Sequence, residues 1–434
     1  MRQDLNINVH HLTRVEGHGN IVVDMKKGQL LKAQLEIVEP PRYFEAMLKG
    51  RNFHEVAITT SRICGICSLG HQMTSLKATE AALGLEISEQ TEILRKILID
   101  GATFQSNILH ALFLAAPDFL NVGSVFPLVS THTEVVQAAL RLKRLANDIG
   151  DIISGRAIHP ISCVPGGFTK LPGEKQLSAL RDNLSNQGLP DLEFIVEVLL
   201  SLADKIPQFE RDTEYISLYH DGEYGLYDGE ICSSDSGLSP VENYMNVTNE
   251  FVVPHSTSKH ARYNRSSYMV GALARYNNSH RLLKPGAIKV AQKLGLAAPC
   301  INPYMNTIAQ VVEVAHCVED AVDLITTLLD RGIAPEKPNQ KPVRYGRGIA
   351  STEVPRGILF HDYTYTRPGV IEKANCIIPT GQNLANIDDD MKKLVPEIIS
   401  ESKEAITRKL EMLVRAYDPC ISCSVHMLNV EFVD

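Results

Sequence analysis

The sequence predicts an α+β fold that is mainly helical, with a core bundle of long helices and small β additions. Two patterns support this. Residues 5–39 alternate apolar and polar side chains between glycine-containing breaks, which is typical of an antiparallel β meander. From about residue 41 the apolar residues recur at helical spacing. We therefore expect residues 1–434 to form a single domain.

The helical body is predicted over residues 41–333, after a β-rich segment at 5–40. Several periodic stretches exceed 20 residues, which favours a bundle. Stretches with helical spacing are 42–50, 92–116, 131–153, 191–207, 304–333 and 388–415.

Two segments break the helical pattern. Residues 208–260 combine Tyr, Gly and Asp with short apolar runs, which indicates loops and small strands. Residues 334–350 form a loop rich in Pro and Lys. "GILFHDYTY" and "KANCIIPT" then predict a late β-hairpin, so that residues 350–426 contain a hairpin, a helix and a cysteine motif.

Charge and cysteine usage exclude several classes of protein. A net charge of −8 without a Lys/Arg stripe argues against a nucleic-acid binder. No stretch reads as a membrane span, and "MRQDLNINVHHL" has no apolar signal core, so we expect a cytoplasmic protein. Nine cysteines, an odd number, favour free thiols and metal ligands in a reducing compartment.

Two Cys-x-x-Cys motifs, each followed by a histidine, stand near opposite ends of the chain. They comprise Cys64, Cys67 and His71, and Cys420, Cys423 and His426. Four thiolates are soft ligands that suit zinc, nickel, copper(I) or iron–sulfur chemistry. Zinc ribbons place their pairs about 12–20 residues apart, so a local zinc module is disfavoured. A site closed across the fold fits better, although a structural zinc site stays an alternative.

The motifs carry a resemblance to a known family. "RICGICSLGH" and "DPCISCSVH" resemble the two metal-binding motifs of the large subunit of nickel–iron hydrogenases. "TRVEGHG", "YFEAMLKGR", "GRAIHPISCVPGG", "EVPRGIL" and "IIPTGQN" resemble further family segments in the same order. The resemblance spans essentially the whole chain. It is strongest to the cytoplasmic, multimeric group linked to NAD(P), coenzyme F420 or ferredoxin.

The resemblance implies a catalytic subunit that cleaves H2 reversibly and heterolytically at a Ni-Fe(CN)2(CO) centre. Cys64, Cys67, Cys420 and Cys423 would bind nickel, with Cys67 and Cys423 also bridging to iron. Electrons would pass to an iron–sulfur small subunit, then through further flavin or iron–sulfur subunits to a soluble acceptor. The chain has too few spare clustered cysteines for a relay of its own.

Residues around the metals follow from the same matching. Arg356 resembles the arginine above the metals, held by Asp118 and Asp418, and Glu16 resembles the carboxylate that carries protons away. Thr380 and the backbone near Pro355 resemble donors to the cyanides. His71 and His159 are expected to hydrogen-bond or pack rather than bind metal.

A second cation site is also implied near the C-terminus. In the family, a Mg²⁺ or similar hard cation is held by residues that correspond to Glu45, His426 and a backbone carbonyl, which we place at Cys376. Mg²⁺ takes few protein ligands and keeps several waters.

The residues beyond His426 predict a processing step. In this family an endopeptidase removes a C-terminal extension after the motif histidine, and "MLNVEFVD" (427–434) fits such an extension.

Two functions of other classes compete with the hydrogenase. One is a non-catalytic relative like the quinone-site subunit of respiratory complex I, which retention of all four cysteines opposes, and the other is a zinc-stabilised scaffold.

Overall fold

The computed structural model describes residues 4–426, so the proposed extension at 427–434 lies outside the described residues. The α+β prediction is confirmed. Within the described part, the strands are β1 (Leu5–Val9), β2 (Gly19–Lys26), β3 (Gln29–Ile37), β4 (Cys163–Val164), β5 (Gly167–Phe168), β6 (Glu214–Tyr219), β7 (Glu230–Ser233), β8 (Gly237–Ser239), β9 (Phe251–Val253), β10 (Ser256–His260), β11 (Tyr268–Met269), β12 (Arg347–Val354), β13 (Gly357–Thr366) and β14 (Val370–Ile377).

The helices carry most of the hydrophobic core. They are α1 (Phe44–Leu48), α2 (Phe53–Thr60), α3 (Ser68–Leu83), α4 (Glu89–Ile108), α5 (Ala116–Phe119), α6 (Leu128–Thr131), α7 (Thr133–Ser154), α8 (Glu174–Asn183), α9 (Leu189–Leu200), α10 (Tyr244–Thr248), α11 (Ala272–Ser279), α12 (Pro285–Lys293), α13 (Asn306–Arg331), α14 (Pro379–Ile398), α15 (Lys403–Ala416) and α16 (Ile421–Ser424). A π-helical turn at Leu109–Ala115 joins α4 to α5.

The long helices pack around α4, which contacts both α13 and α7. The side-chain hydroxyl of Ser88 caps α4 by accepting from the Thr91 amide at 3.0 Å. The run Glu89–Phe119 is long and apolar enough to cross a membrane, whereas the sequence analysis found no such segment. Its most apolar window is 78% buried inside the protein, as expected for a core helix.

The sheets lie around this bundle. The predicted meander forms β1-β2-β3 and continues to β10 and β9, with β10 parallel to β3. The predicted late hairpin is β13 and β14, and β12 pairs with β13 as a third strand. Part of the segment expected to be a loop at 334–350 is therefore strand, from Arg347 onward.

The helix predicted at 388–415 is in fact two helices. α14 starts earlier, at Pro379, and ends at Ile398. Ser402 then caps α15, since its hydroxyl accepts from the Ala405 amide at 3.2 Å. The helix predicted at 191–207 ends at Leu200. Both helix ends were missed because the apolar residues continue at helical spacing beyond them.

Candidate metal centre

Four cysteine side chains from the two ends of the chain meet in a buried pocket. The Sγ of Cys64 lies 3.4 Å from that of Cys420, which is 2.7 Å from the Sγ of Cys423. The sulfur atoms of Cys64, Cys67 and Cys420 lie within 4.8 Å of one another. Each of the four residues is at most 5% exposed. The fold thus unites the two Cys-x-x-Cys pairs.

Backbone pairing between the chain ends builds this pocket. Glu16 and Cys420 form a parallel β-bridge, and the Ile421 amide donates to the Glu16 carbonyl at 2.9 Å. Gly17 packs so closely here that a Cβ would lie 2.7 Å from the Ser422 nitrogen. Its positive φ of +82° also suits glycine. A side chain at position 17 would push the second cysteine pair away from the first.

The pKa values of the four cysteine thiols bear on whether the pocket would hold a metal cation. Hydrogen bonds with Cys420, Cys423 and Cys67 lower the pKa of the Cys64 thiol. Burial raises the pKa of Cys423, and a hydrogen bond to another cysteine followed by burial raises those of Cys67 and Cys420. Four thiolates in this pocket require a bound cation, and a soft or borderline metal matches the donor set.

Arg356 lies directly beside the sulfur atoms. Its Nη1 donates to the Cys67 Sγ at 3.1 Å and to the Ser106 hydroxyl at 3.4 Å. Its Nη2 and Nε donate to a carboxylate oxygen and the backbone carbonyl of Asp418, at 2.8 and 2.6 Å. Asp418 has a φ of +51°, a left-handed conformation that aspartate tolerates. Burial opposes the charge of Arg356, but Asp418 and the thiols outweigh it and raise the pKa of the guanidinium.

The expectation that Asp118 also holds Arg356 is wrong. Asp118 forms ion pairs with Arg14, at 2.5 Å, and with Arg415. Asp118 was assigned by matching to the family, and a match between short segments does not report which buried arginine a carboxylate meets in the fold. The Ser106 hydroxyl accepts a hydrogen bond from Arg356 at this position, and no sequence motif indicated that residue.

Glu16 contacts the second cysteine pair. Its Oε2 lies 3.2 Å from the Cys420 Sγ and accepts from the Ser422 amide at 3.1 Å. The Ser422 hydroxyl also donates to the Glu16 carboxylate. Glu16 is part-buried, so its carboxylate lies between the sulfur atoms and the protein exterior.

Thr380 and Pro355 lie on either side of the cysteines. The Thr380 hydroxyl, in the first turn of α14, accepts from the Cys420 amide at 2.9 Å. The hydroxyl keeps its own proton for donation to another group. The Pro355 carbonyl accepts from Arg275 at 3.0 Å, which fixes the loop that carries Arg356.

The predicted hard-cation residues also come together. His426 Nδ1 is 2.9 Å from Glu45, and its Nε2 is 2.8 Å from Glu250, which sequence reasoning missed because it lies in no motif. Burial lowers the pKa of His426, but hydrogen bonds with Glu250 and Glu45 outweigh this and raise it to about 9. Cys376 lies on β14, where burial and then the nearby Glu45 carboxylate raise the pKa of its thiol. Two carboxylates and an imidazole could hold a divalent cation here.

His71 and His159, the two histidines not expected to bind metal, each have a hydrogen-bond partner. His71 Nδ1 is 3.3 Å from the Nε2 of His361, and burial lowers the pKa of His71 to about 4. His159 Nδ1 is 2.9 Å from the carbonyl of Ser61. Both rings therefore pack and hydrogen-bond around the first motif.

Comparisons with known proteins agree with this geometry. A family model described as nickel-dependent hydrogenase matches residues 42–137 and 219–426, and one described as HoxL-like matches residues 6–39. The alpha subunit of sulfhydrogenase 1 from Pyrococcus furiosus is 34% identical over 428 residues, covering 98% of this chain and 99% of that protein. The alpha subunit of sulfhydrogenase 2 from the same organism is 31% identical, covering 98% and 100%.

A solved structure is similar along the whole chain. The crystal structure of an NAD⁺-reducing [NiFe]-hydrogenase in the H2-reduced state has a TM-score of 0.87 at 28% identity, covering 97% of this chain and 99% of that one. Fold and site together define a metal-dependent oxidoreductase subunit. This chain belongs to the nickel-dependent hydrogenase family and is a large, catalytic subunit of a nickel–iron hydrogenase.

Proposed function

We propose that Cys64, Cys67, Cys420 and Cys423 hold a Ni-Fe(CN)2(CO) centre at which H2 is cleaved heterolytically. The burial of four cysteine sulfurs in one pocket, with the Arg356 guanidinium bonded to that of Cys67, carries this proposal. When bound, the centre would supply the redox and Lewis-acid chemistry that polarises and splits H2. Cys67 and Cys423 would hold the iron as well as the nickel.

The residues of this chain prepare the site for that reaction. Arg356 is proposed to place a fixed positive charge beside the reacting gas, because Asp418 anchors two of its nitrogen atoms. Burial of all four cysteines excludes bulk water. Thr380 and the backbone around Pro355 are proposed to donate to the cyanide ligands.

Glu16 is proposed as the proton acceptor beside the Cys420 sulfur. The 3.2 Å separation allows direct transfer, and the part-buried carboxylate can release the proton outward. Glu16→Gln should lower H2/D⁺ exchange by at least about tenfold, since general acid–base catalysis typically contributes about 10²–10⁴-fold. Ser422→Ala is a matched control that keeps the carboxylate but removes one of its donors. Unchanged exchange in Glu16→Gln would refute this role.

We propose that an iron–sulfur small subunit docks beside the first cysteine motif. Five exposed apolar side chains lie directly before or on α1, on α2 and on the loop that holds His159: Tyr43, Met47, Ile58, Ile158 and Ile161. His159 bonds Ser61 and Ser68, which flank Cys64 and Cys67. Ile58→Glu with Ile161→Glu should abolish copurification of the small subunit. Leu140→Glu, at an exposed apolar position on α7, is the control and should not.

The remaining roles are proposed from the resemblance of the sequence motifs to the family. Electrons would continue from the small subunit through flavin or iron–sulfur subunits to a soluble acceptor, in the cytoplasm. Glu45, His426, Glu250 and the carbonyl of Cys376 are proposed to hold Mg²⁺. A maturation endopeptidase is proposed to cut after His426. Intact mass of the active subunit tests that cut, and an active chain that still ends at Asp434 would contradict it.

An infrared spectrum of the anaerobically purified complex, with metal analysis, tests the centre itself. Bands of metal-bound carbon monoxide and cyanide with about one nickel per chain are expected for four thiolate ligands. Zinc in the cysteines without such bands would instead favour the scaffold function, and absence of any metal the non-catalytic one.

A further inference from the structure

A further cluster of ligand-type side chains lies outside both cysteine motifs. His255, in the turn between β9 and β10, His260, at the end of β10, and Asp388, on α14, bring one ligand atom each to within 4.8 Å of one another. The His255 Nε2 is 3.0 Å from the Asp388 Oδ2. Residues from two separate parts of the chain therefore converge on one point.

Two of the three side chains in this cluster are buried, and one of them is held by a backbone hydrogen bond. Asp388 is 4% exposed, and its Oδ1 accepts from the Leu35 amide on β3 at 2.8 Å, which orients the other oxygen. His260 is 3% exposed, and its Nε2 has no hydrogen-bond partner within residues 4–426. A buried polar atom without a partner costs free energy, which a bound ligand would recover.

We propose that His255, His260 and Asp388 bind a zinc ion. Two imidazoles and one carboxylate form a borderline donor set that suits Zn²⁺ better than Mg²⁺ or Ca²⁺. Tetrahedral zinc with bonds of about 2.0–2.2 Å holds its ligand atoms roughly 3.3 Å apart. The ligand atoms of His255 and Asp388 are already 3.0 Å apart. All three ligand atoms lie within 4.8 Å, so any pair must approach by at most about 1.5 Å. His255 can supply that movement, because it lies in a turn and its side chain is 19% exposed.

The fourth coordination position has access to water. His255 and Asp388 line an open cleft of about 330 Å³, together with residues 30–34 and Lys392. The Lys392 ammonium is a cation at this cleft, but it is exposed and bonds Asp389 at 2.9 Å. A three-residue zinc site completed by water therefore fits the arrangement.

Zinc here would clamp the hairpin that supports the C-terminal cysteine motif. Ser258, on β10, donates to the Ser424 carbonyl at 2.9 Å, and Glu250, before β9, bonds His426. α14 carries Asp388 at the cluster and Thr380 beside Cys420. A metal that joins the hairpin to α14 would therefore hold two supports of the second motif together.

The test measures zinc in the matured, nickel-loaded complex, in which the cysteines are already occupied. After equilibration with buffered Zn²⁺ and gel filtration, we expect one zinc per nickel in the wild type. We expect none in His255→Gln and His260→Gln, and one in the control Lys392→Gln. Competition with a chromophoric chelator should show that the zinc affinity is lowered by at least about 100-fold in both histidine variants. Mutation of residues that only support the metal ligands already lowers metal affinity about 10–100-fold, and these two histidines are proposed as ligands themselves.

Two results would overturn the proposal. Wild type without bound zinc would mean that the cluster is a His255–Asp388 ion pair packed on His260. Zinc retained in His255→Gln at wild-type affinity would place the metal elsewhere. If His260→Gln fails to accumulate because its site is buried, the part-exposed His255 still decides the question. Nickel content and carbon monoxide bands in the same samples test the hydrogenase centre separately.

Discussion

Arg275 is the residue whose removal should disturb this protein most clearly outside the cysteines. It is 1% exposed and bonds Glu313 at 2.5 and 2.8 Å and Glu353 at 2.6 Å. Its Nη1 and Nη2 also donate to the carbonyls of Val354 and Pro355, each at 3.0 Å. One guanidinium thus bonds two buried carboxyl groups and fixes the loop that precedes Arg356.

Arg275→Met keeps much of the side-chain length and removes the charge. Breaking a buried ion pair by deleting one partner costs about 3–5 kcal/mol, since the other charge stays buried. Burial already raises the pKa of Glu353 to about 7, against the lowering effect of Arg275. Without Arg275 that lowering effect is lost and the pKa of Glu353 rises further. At pH 8 the variant must therefore take up a proton at Glu353 or leave its carboxylate unpaired, whereas at pH 6 Glu353 is mostly protonated in both proteins.

The sign of the pH effect follows from linkage. A carboxyl group whose pKa is raised in the folded state binds more protons folded than unfolded, between its ordinary pKa of 4.5 and about 7. Stability therefore falls as pH rises through that window. In Arg275→Met the window extends to higher pH. The loss relative to wild type should be greatest at pH 8 and smaller at pH 6.

Urea unfolding of the purified large subunit at both pH values measures this loss. Adding Glu313→Gln and Glu353→Gln to Arg275→Met should recover part of it, because no buried charge then remains unpaired. Arg347→Met is the matched control, since that arginine pairs with Asp362 at an exposed position and should contribute at most about 1 kcal/mol. A loss below about 1 kcal/mol in Arg275→Met, equal at both pH values, would refute the reasoning.

Three further predictions concern the metal sites. Cys423→Ser is nearly isosteric but replaces a soft ligand with a hard one, so nickel content should fall to less than about a tenth of wild type; full nickel occupancy would exclude Cys423 as a ligand. Thr380→Val leaves the buried Cys420 amide without its acceptor and should lower stability by about 1–3 kcal/mol, whereas Thr380→Ser should restore it. Equal melting curves for both variants would contradict this. Glu250→Gln should lower magnesium content while nickel stays constant, and unchanged magnesium would remove Glu250 from that site.

Local patterns were sufficient for much of the architecture. The alternation at residues 5–39 predicted β1 to β3, and the cysteine spacing predicted two metal-binding turns, because both depend on neighbours in sequence. The contact between Arg356 and Asp418 was also anticipated, through motifs matched to a family. Boundaries were less accurate where capping residues such as Ser402 interrupt continuous apolar periodicity.

Only the tertiary structure decided which distant side chains share a site. Asp118 pairs with Arg14 and Arg415 rather than with Arg356, and a match between short sequence segments does not report that pairing. Glu250 reaches His426, and His260 reaches Asp388, through packing of a hairpin against α14. The sequence by itself determined the ligand types and their local turns, since these depend on adjacent residues. Long-range packing determined which side chains pair with one another. Buried charged and polar groups need a partner, and these partners come from distant segments that meet only in the folded chain.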